Sequence, residues 1–239
     1  MSRFVALLAA CLATAASAAA TGNAADRSTA TSATAASPPP PAEMAAAARA
    51  PERALSNDEK ARMALDRLAF GARPGDVERV RAMGVDRWIQ QQLSPERIPD
   101  ADVERRVADL KVMKLSSAEL MANYPGTKML LRQNGMLKAK VSDKERKELL
   151  RRSLAQGHGR ARDVYDQLAA DRLLRATYSE RQLQEVMVDF WFNHFNVFAH
   201  KENAQWYLPS FDRDVIRPHA LGKFRDLLLA TAQSPAMLM

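Results

Sequence analysis

Apolar residues recur at spacings of three and four through most of this chain, and this periodicity is the feature that most restricts its fold. Such spacing places side chains on one face of an α-helix, whereas a half-buried β-strand alternates at every second residue. From residue 55 onward we find no sustained alternation and no Asn-Gly or Asp-Gly turn between apolar runs. The sequence therefore predicts an all-α fold, an irregular domain of many helices.

Polar caps and glycines mark where the helices begin and end. Ser56 and Glu59 have the spacing of a capping box, so we expect order to begin there. A second capping box, Ser179 to Gln182, is predicted to start the most aromatic helix of the chain. Residues 206–209 are predicted to form a loop. Further helices are predicted at residues 76–83, 101–113, 117–123, 128–137, 142–155, 161–176 and 211–216.

The amino-terminal part of the chain has a different composition. Residues 1–20 combine Arg3, an apolar run and small residues before a cleavage point, the pattern of a signal peptide. The apolar run is too short to span a bilayer. Residues 21–54 are rich in Ala, Ser, Thr and Pro, which predicts a disordered linker. We therefore predict a periplasmic or secreted protein with a signal peptide at 1–20, a linker at 21–54 and a helical domain at 55–239.

Cys11 is the single cysteine of the chain and lies within the leader. An intramolecular disulfide and a cysteine metal site are therefore excluded. Residues 8–11 also resemble a lipoprotein cleavage box, in which Cys11 would be acylated. The short apolar run before Cys11 favours plain cleavage, so membrane contact is expected only if Cys11 is acylated.

The net charge of +7 comes largely from one stretch. Residues 138–162 hold nine basic and three acidic residues. Such a surface could bind nucleic acid, anionic lipid or acidic glycan. Interspersed acids and the lack of interleaved aromatic rings favour a solvated helix face instead, and no nucleic-acid partner is expected for an exported protein. An anion-binding surface protein is one alternative function.

Aromatic side chains are concentrated near the middle of residues 179–200. Positions 190–198 hold five of them, whereas the whole chain is 6% aromatic. The simplest interpretation is core packing, with His194 as a buried, hydrogen-bonded histidine. Helical spacing predicts one buried stripe formed by Leu183, Val186, Met187, Phe190, Trp191 and His194.

Polar residues of the same segment are the candidates for catalysis: Asp189, Asn193, His194, Asn196 and His200. All of them except His194 are predicted to form one polar line along the helix. His194 and His200 are the metal candidates, but the spacings here lack the specificity of a His-Glu-x-x-His motif. No cofactor is identifiable. The second alternative function is a metal-dependent hydrolase or other enzyme with its site near residues 189–200, which could hold a divalent metal. Whether the chain is an enzyme stays open.

Three separated parts of the chain carry the motifs of one protein family. The amino-terminal part consists of residues 68–76, LAFGARPGD, and 88–93, WIQQQL. The central part consists of residues 174–176, LRA, 179–183, SERQL, and 188–197, VDFWFNHFNV. The last consists of residues 221–228, LGKFRDLL, and 234–238, SPAML. In this order the three parts resemble the bacterial family catalogued as domain of unknown function 1800.

This resemblance implies a largely helical, exported protein that acts with an exported protein partner and has no established reaction. Family members continue into a segment similar to Glu-Asn-Tyr-Ala-Arg-Glu-Leu followed by Glu-Leu-His, which the present sequence does not contain. From the resemblance we expect a carboxy-terminally truncated member, in which residues 55–239 form the amino-terminal part of a longer domain.

Overall fold

The computed structural model describes residues 53–137, 140–199, 201 and 203–238. Every regular element in these residues is helical, and no strand occurs among them, which confirms the predicted all-α fold. The predicted signal peptide, Cys11 and most of the predicted linker lie outside the described residues. No helix in the described part is long and apolar enough to cross a membrane.

Among the described residues, eight helices precede the aromatic segment: α1 Asn57–Leu68, α2 Asp76–Met83, α3 Val85–Gln92, α4 Ala101–Val107, α5 Ser117–Asn123, α6 Thr127–Gln133, α7 Asp143–Ala155 and α8 Ala161–Tyr178. The aromatic segment itself forms α9, Gln182–His194. After them come α10 Leu208–Ser210, a π-helical segment Phe211–Ile216, α11 Arg217–His219 and α12 Phe224–Ala232. Short 3-10 turns occur at Pro95–Arg97, Lys111–Lys114 and Ala204–Trp206.

The predicted helix starts are confirmed at some positions and wrong at others. Ser56 and Glu59 form the predicted capping box, in which each side chain bonds the backbone N–H of the other. The helix predicted at residues 101–113 is shorter, because α4 ends at Val107 and a 3-10 turn follows. The loop predicted at residues 206–209 is wrong, since these residues belong to consecutive helical turns.

Apolar side chains pack into three separate clusters. The first holds α1, α2 and α3 together around Leu65, Val80 and Trp88. A second joins α9 to the carboxyl-terminal helices and is formed by Val188, Phe211, Ile216, Ala220, Leu227 and Ala236. The third lies where α5, α8 and the 3-10 turns meet and is formed by Val112, Leu120, Val164 and Trp206. α8 and α9 therefore run between clusters and connect them.

The link between α8 and α9 makes a tertiary contact rather than a helix cap. The predicted capping box at Ser179 is wrong, because α9 begins at Gln182 and Arg181 occupies the cap position. Ser179 is fully buried, and its Oγ donates to Asp100 Oδ2 over 2.7 Å. Asp100 Oδ1 also accepts from the backbone N–H of Glu180 at 2.8 Å. Asp100 thus fixes the turn between the two helices.

Two glutamines attach the first three helices to this turn. Gln92 Nε2 donates to the carbonyl of Glu180 over 2.9 Å, and its Oε1 accepts from the backbone N–H of Leu183 at 3.1 Å. Gln182 Oε1 accepts from the backbone N–H of Phe70 at 3.2 Å. Both glutamines are buried, so these bonds satisfy polar groups that would otherwise lose hydration without a partner.

The π-helical segment positions two charged side chains. The backbone N–H of Arg217 donates to the carbonyl of Asp212, five residues earlier. A π-turn brings residues five apart together, and such turns are frequent at functional sites. Asp212 and Arg217 consequently project from the same face of the segment, where their side chains meet at 3.4 Å.

Candidate functional site

A cleft of about 260 Å³ opens beside α8, α9 and α11. Its charged lining consists of Arg172 from α8, Glu185 and Asp189 from α9, and Arg217 from α11. Phe70, Leu173, Ala176 and Val188 supply apolar walls. We call this site the charged cleft.

Arg172 connects the two walls of the charged cleft. Its Nη1 donates to Asp212 Oδ1 over 2.7 Å, and its Nη2 donates to Asp189 Oδ1 over 2.6 Å. The guanidinium carbon also lies 4.1 Å from the centre of the Phe192 ring, a cation–π contact. These contacts fix the orientation of Arg172 on three sides.

Arg217, like Arg172, connects two carboxylates of the charged cleft. Its Nη1 donates to Glu185 Oε1 over 2.7 Å, and its Nη2 to Asp212 Oδ2 over 3.4 Å. Asp212 is completely buried and bonds one arginine with each carboxylate oxygen. The order of contacts is therefore Asp189, Arg172, Asp212, Arg217 and Glu185, with opposite charges alternating.

A second charged group adjoins this chain of contacts. Arg175 Nε donates to both oxygens of the buried Asp171, and its Nη1 donates to Glu104 Oε1 over 2.8 Å. The hydrogen bond from Arg175 lowers the pKa of Glu104, although its partial burial opposes this shift. Burial raises the pKa of Asp171 in spite of the neighbouring guanidinium of Arg175.

Glu185 is a buried carboxyl group of the cleft with a shifted pKa. It is 5% exposed, and this burial raises its pKa, with the charge of Asp212 acting in the same direction. Arg217 opposes the rise through its charge and its hydrogen bond. A buried carboxyl group with a raised pKa in a cleft is a common property of binding and catalytic sites.

Comparison with protein families places the chain in one of them. Residues 63–239 match the family model described as a protein of unknown function, DUF1800. The chain belongs to the DUF1800 family. The match confirms the resemblance carried by the three motif regions, and the charged cleft lies wholly inside the matched part of the DUF1800 chain. No curated protein and no solved structure matches it.

The structure separates the polar residues that the sequence predicts to form one line. In the DUF1800 chain α9 ends at His194, so Asn196 lies beyond the helix and the predicted polar line is wrong. Asp189 lines the charged cleft. Asn193 is exposed and donates to the carbonyl of Asp189, one turn earlier in the same helix. His200 lies outside the described residues, so its candidate role stays a prediction.

His194 is exposed, and its predicted burial is wrong. Its ring stacks on Phe190 with centroids 5.7 Å apart, and Phe190 is itself 51% exposed rather than buried. Trp191 contacts both rings and also lies 5.8 Å from Phe224 of α12. We call these four residues and Leu228, one turn after Phe224, the aromatic surface. Val188, Phe192 and Phe195 face the second apolar cluster, whereas Phe190 and His194 lie on a side of α9 that this cluster does not cover.

The metal prediction is not supported by a ligand set in the described residues. Among them no group of three His, Cys, Asp or Glu side chains has the arrangement of a metal site. His194 contacts aromatic rings, and Asp189 is bonded to Arg172. His194 and His200 as metal candidates therefore stay predictions from the sequence.

The basic stretch of the DUF1800 chain forms α7 and its flanks. Every residue of α7 except Ser153 is at least partly exposed. Glu148 pairs with Arg152 at 3.2 Å and lies 3.9 Å from Arg151. This arrangement is the solvated helix face that the interspersed acids predict, and Lys138 lies outside the described residues.

Most residues of the charged cleft are not among the candidates predicted from the sequence. Arg172, Glu185, Asp212 and Arg217 line or close it, yet none was singled out among the candidates. One signal was available in α8, where the stripe Val164, Leu168 and Asp171 is buried at helical spacing. An ionisable residue on an apolar stripe needs a buried partner, and this requirement points to a charged cluster.

Proposed function

We propose that this chain is an exported protein whose helical domain binds a partner protein in the periplasm or at the cell surface. The leader pattern of residues 1–20 supports export. The aromatic surface supports partner binding and is the observation on which the proposal depends.

The aromatic surface leaves large apolar groups in contact with water. Phe190 is 51% and Phe224 is 53% exposed, and Trp191 touches both rings. Leu228 adds a further apolar side chain that is 44% exposed. Contiguous exposed apolar groups mark interaction sites, and aromatic side chains are enriched at the centres of protein interfaces.

The rings are held in place before any partner arrives. Trp191 Nε1 donates to the carbonyl of Ala220 over 3.1 Å, which fixes the indole between α9 and α12. Phe190 packs edge-on against this indole at a centroid distance of 4.8 Å. A surface that is already ordered loses little conformational entropy on association, so this geometry favours binding.

Site-specific crosslinking tests the proposal in the native host. A photoreactive amino acid at Leu228 should form an adduct with one exported protein, whereas the same group at the exposed Met63 of α1 should not. Replacing Phe190 and Phe224 together with Ser should abolish the adduct without unfolding the chain, because both rings are about half exposed. A Leu228 adduct that survives this double change, or one that contains two copies of the chain, would contradict the proposal.

Export is tested independently by cell fractionation. Changing Leu7 and Leu8 to Arg interrupts the apolar run of the leader and should retain the chain in the cytoplasm. Recovery of the unchanged chain from the cytoplasm would contradict export. Partner binding would then be judged from the crosslinking experiment alone.

Anion binding through α7 is a second candidate, because its basic side chains all stand in solvent. Lys144, Lys147, Arg151 and Arg152 border one open cleft along the helix. Retention on heparin should fall steeply with salt and with Lys144→Glu plus Lys147→Glu. A matched pair of changes on α4, Arg105→Glu and Arg106→Glu, gives the same net charge and serves as the control; equal losses from both pairs would argue against a specific site on α7.

A further inference from the structure

Only one of the two carboxylate oxygens of Glu185 accepts a hydrogen bond within the described part of the chain. Its Oε1 accepts from Arg217, and its Oε2 makes no hydrogen bond within the described part of the chain. The one fully buried side-chain polar atom without a partner in that part is Thr231 Oγ1. Glu185 Oε2 is therefore not fully buried, and Glu185 lines the charged cleft. A carboxylate that is otherwise buried thus presents one free oxygen to the cleft.

The side chains of the charged cleft carry more negative than positive formal charge. Three carboxylates, Asp189, Asp212 and Glu185, share two guanidiniums, Arg172 and Arg217. The adjoining Arg175 is itself shared between two acids. The cleft thus carries one more negative than positive charge, and the side chain of Asp189 is 48% exposed, so this excess charge is open to a cation from solvent.

The walls of the cleft are apolar where it meets solvent. Leu173 is 55% exposed and Phe70 is 49% exposed, and Ala176 and Val188 continue the surface inward. The volume of about 260 Å³ lies just below the roughly 300–1,000 Å³ range of ligand pockets. The cleft therefore suits a small ligand that is charged at one end and apolar along its length.

We propose that the charged cleft binds a primary ammonium group carried on a short alkyl chain. The ammonium group donates to Glu185 Oε2, and Asp189, one turn further along α9, supplies a second carboxylate. Phe70 and Leu173 pack against the alkyl chain. This inference goes beyond the proposed partner binding and does not depend on the aromatic surface.

An anionic ligand fits the cleft less well than an ammonium group. Arg172 and Arg217 each already donate to two carboxylates, so an added anion would compete with Asp212, which is completely buried. It would also approach the free oxygen of Glu185. An ammonium group has three donors and no acceptor, which matches a site whose open positions are carboxylate oxygens.

Titration of the full-length protein with three probes of equal length tests the proposal. Calorimetry should show saturable binding of n-pentylamine, and binding on the order of tenfold or more weaker for 1-pentanol and for pentanoate. Equal binding of pentanol would show that only the apolar walls matter. Tighter binding of pentanoate would show an anion site. Either result, or no saturable binding of the amine, would overturn the proposal.

Two variants and one control locate the binding. Glu185→Gln keeps the shape of the side chain and should weaken n-pentylamine binding on the order of tenfold or more. Leu173→Ala removes an exposed wall and should weaken it several-fold with the fold intact, so this variant decides the matter if Glu185→Gln does not fold. Asp58 is an exposed acid of α1 that pairs with Arg81 of α2 and does not line the cleft. Asp58→Asn should therefore bind n-pentylamine as the unchanged protein does. Unchanged binding in Leu173→Ala would overturn the proposal.

The ammonium group and its alkyl chain could belong to a free alkylamine or to a lysine side chain of another protein. Nα-acetyl-lysine amide presents the ammonium group with a peptide backbone attached. Binding tighter than that of n-pentylamine assigns the cleft to a lysine side chain, and weaker binding assigns it to a free amine. Failure of both probes overturns the proposal while leaving partner binding by the aromatic surface untouched.

Discussion

Arg172 and Asp212 make the central contact of the charged cleft, with Arg172 Nη1 donating to Asp212 Oδ1 over 2.7 Å. Asp212 has no exposed surface, and its second oxygen accepts from Arg217. Because Arg172 belongs to α8 and Asp212 to the π-helical segment, this contact joins two elements that are distant in sequence. The shape of the cleft depends on it.

Asp212→Asn should therefore destabilise the fold strongly. The change preserves the size of the side chain but leaves Arg172 and Arg217 without the buried negative charge between them. Removing one partner of a buried ion pair costs about 3–5 kcal/mol. Urea unfolding of the two proteins measures the difference in the free energy of unfolding.

Asp214→Asn is the matched control, since it makes the same chemical change in the same helical segment. Its partner Arg213 and Asp214 itself are both substantially exposed, and exposed pairs contribute about 1 kcal/mol or less. Similar midpoints for the two variants would mean that the buried network does not stabilise the fold.

Glu185→Gln should change how stability depends on pH. Burial raises the pKa of Glu185 above its ordinary value of 4.5 in the folded chain. Between the unfolded and folded pKa values the native state keeps a proton that the unfolded state has lost, so this group makes the fold less stable as pH rises. The free energy of unfolding of the unchanged protein, minus that of Glu185→Gln, should fall as pH increases through this window.

Glu119→Gln provides a control of opposite sign. The backbone N–H and the hydroxyl of Ser116 lower the pKa of Glu119, whose contribution is therefore lost as pH falls through the folded pKa. The corresponding difference should rise with pH as Glu119 ionises. If both differences change with pH in the same direction, Glu185 does not occupy a buried position.

Local signals in the sequence were sufficient for the fold class and for several helix boundaries. The capping box at Ser56 depends on residues that are adjacent along the chain, and it is present as predicted. Ser179 has the same local pattern, but Asp100 competes for its hydroxyl from 79 residues away. A local rule fails where a buried distant partner offers a stronger hydrogen bond, and the sequence alone does not reveal that partner.

The exposure of His194 shows a second limit. Helical spacing places His194 on a stripe with Phe190 and Trp191, but the side of α9 that packs into the core carries Val188, Phe192 and Phe195. Phe190 and His194 lie beside this core-facing side and reach solvent. Periodicity shows which residues share a face of a helix, whereas burial depends on which part of that face a neighbouring element covers.

The charged cleft was the least predictable feature. Its ion pairs join α8, α9, the π-helical segment and α11, and the π-turn that aligns Asp212 with Arg217 has no simple sequence signal. Pro209 belongs to the residues predicted to form a loop, yet it lies at the start of a helical turn, where the missing N–H of proline is tolerated.

Ser179→Ala should destabilise the contact between the start of α4 and the turn that joins α8 to α9. The change leaves Asp100 Oδ2 without its donor in a buried position, which costs about 1–3 kcal/mol. A double-mutant cycle with Asp100→Asn, followed by urea unfolding, isolates the interaction, and we expect a coupling energy of about 1 kcal/mol or more. Additive effects of the two changes would contradict the hydrogen bond between Ser179 and Asp100.

Gly126→Ala should destabilise the third apolar cluster by overpacking. A Cβ atom at this position would lie 2.8 Å from Cη2 of Trp206, closer than two carbon atoms normally approach. Trp206 has little freedom to move, because it is buried and its Nε1 donates to the carbonyl of Tyr124 over 2.9 Å. We expect a loss of about 1–3 kcal/mol in the free energy of unfolding, measured by urea titration. Gly222→Ala, whose added Cβ would lie 3.3 Å from its nearest neighbour, should cost less; a larger loss for Gly222→Ala than for Gly126→Ala would show that Trp206 does not pack against Gly126.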